Sequence, residues 1–128
     1  MTKQVIVMRC KYPDGNGGLT GLRKGKMIAQ ACHASIAFLT RRLQNNEPLS
    51  EVQKEWLNNS FTKICVGVDT EEELLEIAEK AKSMNVECHV ITDNGTTEFN
   101  GIPTKTCLAL GPDKAEILDQ ISGHLKLL

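Results

Sequence analysis

Apolar positions fall into alternating rhythms along the 128-residue chain. Residues 3–10 are rich in Val, Ile and Met, the pattern of a strand covered on both faces. Residues 11–24 have no period and contain Pro13, Gly15, Gly17, Gly18 and Gly21. So long a connection is either functional or a tolerated surface insertion. Because it runs straight into a helix with polar chemistry, it is read as a mobile flap over a site. The helix spans 25–43. At roughly 100° per residue, Met27, Ala31, Ala34, Ser35 and Phe38 share one face, and Lys26, Gln30 and His33 form a separate polar stripe. Asn45-Asn46-Glu47-Pro48 ends it.

The rest of the chain continues the alternation. Ser50 and Gln53 make a capping box for a short helix carrying Val52, Trp56 and Leu57. Residues 61–68 read as a strand with Ile64, Val66 and Val68 on one face. Thr70 and Glu73 open a third helix whose apolar face is Leu74, Leu75, Ile77, Ala78 and Ala81. Residues 86–91 form a third strand, and 92–98 a polar loop turning at Asn94-Gly95. In the fourth strand, 104–110, strict alternation puts Thr104, Thr106, Leu108 and Leu110 on one face and Lys105, Cys107 and Ala109 on the other. Gly111-Pro112-Asp113 then starts a last helix, with Asp113 and Glu116 as its capping signals. Strands alternating with helices predict an α/β sandwich around a four-stranded sheet, built as one domain over 1–128.

Composition narrows the class. Hydrophobic residues make up 41% and charged residues 24%, ordinary for a water-soluble fold, and no apolar run nears the ~18 residues of a membrane span. The first residues lack the apolar core and cleavage site of a secretory leader, so a cytoplasmic protein is expected. The five cysteines are scattered, without a C-x-x-C pair, as suits a reducing compartment. Cys88 and His89 are strand neighbours pointing to opposite faces, so no structural zinc is expected. The net charge is only −1 but unevenly spread: residues 1–46 carry eight basic residues and one acid, residues 47–100 four basic residues and twelve acids. Such a chain either presents one basic face to phosphates or scatters these charges over solvated surface.

The Lys26 stripe is the sharpest chemical feature. A lysine in a first helical turn opposes the helix dipole unless an anion sits there. A nucleotide P-loop is excluded, because Thr20 and Met27 stand where that pattern needs Gly and Ser or Thr. Cys32 beside His33 suggests a thiol hydrolase, but helix neighbours diverge by roughly 100° and do not face each other.

Four ordered segments go further: the Gly25-Lys26 helix with Gln30 and His33-Ala34, the loop Asp93-Asn94-Gly95-Thr96-Thr97, the strand Lys105-Thr106 running into Leu110-Gly111-Pro112, and the end Gly123-His124-Leu125-Lys126-Leu127. Together they resemble the second, archaeal and eukaryotic, family of peptidyl-tRNA hydrolases over nearly the whole chain except 11–24. The resemblance implies a three-layer sandwich with a mixed four-stranded sheet between helices, often a homodimer. It implies cleavage of the ester between a peptide and the tRNA 3′ end without metal or other cofactor. By position it assigns Lys26, His33, Asp93, Thr97 and Thr106 to the catalytic set; Gln30, Gly95 and Lys105 of the same segments, with Arg23 and Lys24 at the end of the flap, are the candidate substrate contacts. The loop departs from the family's Asp-Ala-Gly-Arg-Thr pattern: Asn94 replaces alanine, Thr96 arginine, and Glu98 the usual glutamine. Two charges are shifted toward negative, which lowers tRNA affinity if the loop faces phosphate; Lys11, Arg23 and Lys24 of the flap are placed to compensate. A non-catalytic tRNA- or partner-binding module on the same fold is the alternative.

Overall fold

The computed structural model of the chain describes residues 1–95 and 99–128. In order the elements are β1 (Thr2–Arg9), β2 (Tyr12–Pro13), β3 (Leu19–Thr20), α1 (Lys24–Asn45), α2 (Glu51–Asn58), β4 (Lys63–Val68), α3 (Glu71–Ser83), β5 (Cys88–Asp93), β6 (Thr104–Lys114), α4 (Ala115–Ser122) and β7 (Lys126–Leu127). The main sheet runs β5-β6-β1-β4-β7. β1 pairs in parallel with β4, while β1–β6, β5–β6 and β4–β7 are antiparallel, so the sheet is mixed as expected. It has five strands rather than four. The added strand is the two-residue β7, which hydrogen-bonds along the β4 edge, with the Leu128 amide donating to the Cys65 carbonyl at 3.1 Å. Too short and too exposed to show a period, it covers part of an edge that would otherwise offer unpaired backbone groups.

β1 is central, and both its faces are buried, which explains its continuous apolar run. Val5 and Val7 join Val66, Val68, Leu108 and Leu110 beneath α3 and α4. Ile6 and Met8 join Cys107 and Ala109 beneath α1, whose Ala34 is fully buried and whose Met27 and Ala31 pack alongside. Helices thus cover both faces in three layers. The small side chain of Ala34 lets α1 approach the sheet closely. Phe38 meets Trp56 of α2 edge-on, ring centroids 5.8 Å apart, and the Trp56 indole N–H donates to the Thr62 carbonyl at 2.7 Å. The Ser50–Gln53 capping box forms in both directions, and Thr70 accepts from the Glu73 amide. At the far end of α1, Arg42 clasps Glu87 through two hydrogen bonds of 2.7 Å, and Gln53 and His89 complete the carboxylate's partners at 2.9 and 2.6 Å.

Three expectations need correction. The 11–24 segment holds a hairpin: Tyr12 pairs with Thr20 and Pro13 with Leu19, and the Asp14 carboxylate takes the Asn16 and Gly18 amides at 2.7 and 3.0 Å. The fourth helix starts at Ala115, not after Gly111, because β6 continues through Asp113 and Lys114 to pair with Lys3 and Thr2. Asp113 and Glu116 therefore do not cap it; Lys114 stands at the cap position without a side-chain bond. Asp93 ends β5 instead of lying in the loop.

Candidate active site

Backbone geometry gathers the site where the start of α1 meets the ends of β5 and β6. Arg23 is the extended residue before the helix, and its carbonyl accepts from Met27. Lys26, in the first turn, reaches across so that its Nζ lies 2.9 Å from Asp93 Oδ1. Both side chains are largely out of water, 14% and 9% exposed. One turn on, Gln30 Nε2 donates to the same oxygen at 3.2 Å, and the Gly95 amide donates to Oδ2 at 3.0 Å. Gly95 has φ of +82°, and a side chain there would collide with the Ile102 backbone, so the turn needs glycine.

Burial alone would push the Asp93 carboxyl up, but the Lys26 ammonium, the Gly95 amide and Gln30 outweigh it and hold the pKa below the ordinary value. Asp93 is therefore a persistent carboxylate. The unfavourable lysine at a helix start has its anion in this side chain.

Thr106 joins the cluster through a β-bulge. Ile91 pairs with Cys107 and Thr92 with Lys105, leaving Thr106 extra. Strict alternation expected Thr106 to share a face with Leu108 and Leu110. Instead the bulge turns it toward α1 beside Cys107: Thr106 Oγ1 donates to Gln30 Oε1 at 2.6 Å, and Cys107 Sγ to the Gln30 carbonyl at 3.4 Å. Bulges re-aim side chains in this way beside functional sites. Gln30, on the polar stripe and expected to contact substrate, is buried, because its amide bridges Thr106 and Asp93.

The other expected residues divide. His33 is exposed on the wall of a groove of about 410 Å³ that also includes Gln30, Ile36, Thr40 and Asp93. Lys24 borders a separate apolar depression with Met27, Ile28 and Leu128. Arg23 is exposed, and Lys105 is half-buried with its carbonyl accepting from Arg9. Thr97, with Thr96 and Glu98, lies outside the described residues.

Two supports escaped the sequence reading, Arg9 and Tyr12. The Tyr12 hydroxyl points to the carbonyls of Arg9 and Thr106 at 3.1 and 3.4 Å. The Arg9 guanidinium lies 4.3 Å from the ring centroid and donates to the Lys11 and Lys105 carbonyls. Burial raises the Tyr12 phenol pKa well above its usual range, so it acts as a neutral hydroxyl. The available signal was slight: the chain's one tyrosine opening an otherwise polar, Gly-rich stretch. Among the described residues, no three His, Cys, Asp or Glu side chains come together as metal ligands.

Fold and site together define a three-layer α/β protein whose carboxylate, ammonium, amide and hydroxyl groups suit hydrolysis of an ester. A family model described as Peptidyl-tRNA hydrolase PTH2 matches residues 2–128, and the chain belongs to that family. It is 43% identical over 109 residues to a peptidyl-tRNA hydrolase of Methanocaldococcus jannaschii, covering 84% of this chain and 90% of that one. It is 39% identical over 127 residues to that of Nanoarchaeum equitans, with 99% of each chain covered. The Saccharolobus solfataricus enzyme is 36% identical over 129 residues, with both chains fully covered. Among solved structures, an Agrobacterium protein of unknown function shares the fold, with a TM-score of 0.58 at 12% identity over 99% of this chain and 97% of that one.

Proposed function

We propose that the cluster centred on Asp93 is the catalytic centre with which this chain, a peptidyl-tRNA hydrolase, cleaves the ester between peptide and tRNA. One observation carries the assignment: Lys26, Gln30 and the Gly95 amide converge on a single, nearly buried carboxylate. Its lowered pKa makes Asp93 a weak base, so it orients the attacking water more than it deprotonates it. The water oxygen bonds to the acyl carbon, and the carbonyl becomes a tetrahedral oxyanion. Lys26 and the helix-start amides favour that charge. Collapse breaks the bond to the ribose oxygen, which leaves with the proton released by the water. Thr106 and Gln30 hold Asp93 in place, His33 meets substrate along the groove, and Thr97 is assigned to the ester by the family pattern alone. Arg23, Lys24 and Lys105 are assigned to the RNA strand.

The reading extends to a one-domain, cytoplasmic enzyme that returns tRNA from stalled translation; five free thiols accord with a reducing compartment. A homodimer is supported by the apolar surface around Ile28 and Leu128, 65% and 63% exposed. No observation favours the non-catalytic module.

The test is release of tRNA from an N-acetyl-aminoacyl-tRNA by wild type, Lys26→Ala and Asp93→Ala. Wild type turns over, and each variant loses roughly 10²- to 10⁴-fold in rate. Three inactive proteins that still bind tRNA at low salt would replace the hydrolase with the binding module.

A further inference from the structure

A second cavity lies on the hairpin side, and its lining reaches Thr104, the strand partner of Asp93. The cleft, about 410 Å³, lies between the β2–β3 hairpin and residues 99–104, lined by Tyr12, Pro13, Thr20, Phe99, Ile102 and Thr104. Phe99 tilts against Tyr12 with centroids 5.2 Å apart, and Ile102 is 64% exposed. We propose that this cleft receives the side chain of the amino acid esterified to the tRNA and favours a large apolar one. The proposal rests on the hydrolase assignment above.

Position is the first support. Thr104 is the strand partner of Asp93. Ile102 packs its backbone on Gly95, whose amide binds Asp93 and whose carbonyl accepts from Gly101 at 2.8 Å. The wall of the cleft is therefore tied to the carboxylate by contiguous contacts. Tyr12 supplies the hairpin side and also steadies the Thr106 carbonyl.

Charge is the second support, and it selects the occupant. The substrate ester has a polyanionic side and an acyl side. Among the described residues lining the cleft, the one charged side chain is Asp14, a carboxylate, which repels phosphate. Among the described residues of the groove beside His33 the one acid is Asp93, whose charge Lys26 offsets, so the RNA end fits there better. A carbonyl held at Asp93 then directs its α-carbon substituent between the hairpin and Ile102. The volume is within the range of small-ligand pockets and ample for a phenylalanine side chain.

Steady-state kcat/KM on N-acetyl-phenylalanyl-tRNA and N-acetyl-glycyl-tRNA, for wild type and Ile102→Asp, tests this. Wild type prefers the phenylalanyl ester by about tenfold, and Ile102→Asp brings the ratio toward one, chiefly through KM on the phenylalanyl ester. Ile102 is exposed enough for the substitution to leave folding intact. Turnover of both esters at equal rates by wild type would overturn the subsite alone, as would a ratio unchanged in Ile102→Asp. If wild type turned over neither ester, the hydrolase assignment would fall and the subsite with it.

Discussion

The Nζ of Lys26 and Oδ1 of Asp93 stand 2.9 Å apart although 67 residues separate them in sequence. The pair links the first turn of α1 to the end of β5, so it both closes the fold and sets the charge of the site. Because the Asp93 pKa is held below 3.8, the carboxylate form present at neutral pH persists into mild acid. The pair's contribution to stability is complete above the unfolded pKa and disappears as pH falls through the lowered folded value.

Lys26→Met should therefore raise the Asp93 pKa measured by carboxyl-carbon NMR, and move the acid limb of kcat/KM upward with it. A titration identical in the variant and wild type would show that the lysine does not control the carboxylate's charge.

Gln30 tests the bridge. Gln30→Leu leaves the buried Thr106 hydroxyl and one Asp93 oxygen each short of a partner, an expected loss of about 1–3 kcal/mol by denaturant unfolding. At temperatures where the variant stays folded, kcat should fall about tenfold or more, because Asp93 is less firmly oriented. Full activity in a destabilised protein would make Gln30 a purely structural residue.

How much of this was legible beforehand varies with the element. The apolar pattern of β1, β4 and α3 matches their burial: the unbroken apolar run of β1 is covered on both faces, and Val66 and Val68 of β4 and Leu74, Ile77 and Ala81 of α3 share one core. Lys26, Asp93 and Gly95 are expected together only through the family resemblance that the ordered motifs carry, since 67 residues separate Lys26 from Asp93. Thr106 was assigned to the wrong face, since a bulge depends on pairing with β5 and leaves no local signal. Gln30 is read as a substrate contact on the polar stripe, whereas it is buried between two polar partners, Thr106 and Asp93, that no local pattern reveals. The hairpin over 11–24 was missed because its strands have two residues each, too few to show alternation.

Glu87 governs acid stability away from the site. Burial would raise its pKa, but His89 and Arg42 bring it down to about 2 from an ordinary 4.5. A depressed folded pKa stabilises above the unfolded value and is lost on acidification, here between about pH 4.5 and 2. Glu87→Gln should lower the unfolding free energy at pH 7 by roughly 1–3 kcal/mol for charge-assisted bonds, and Tm with it, with the gap to wild type closing toward pH 2. A gap independent of pH would assign the effect to packing.

The sequence of the 94–98 loop sets the last expectation, which concerns Thr96 and Glu98, outside the described residues. Relative to the family pattern this loop lacks one positive charge and carries one extra negative charge. Thr96→Arg with Glu98→Gln restores both. If the loop meets the tRNA backbone, the double variant should bind tRNA more tightly at about 50 mM salt, with the gain fading as salt rises. Each phosphate newly neutralised should steepen the log–log salt dependence by roughly 0.7 to 0.9. The chemical step should be little changed, because Lys26 and Asp93 already supply its charges. Filter binding across a salt series measures this directly. A slope equal to that of wild type would mean that the loop does not touch phosphate and that the altered residues answer to the peptide side of the substrate.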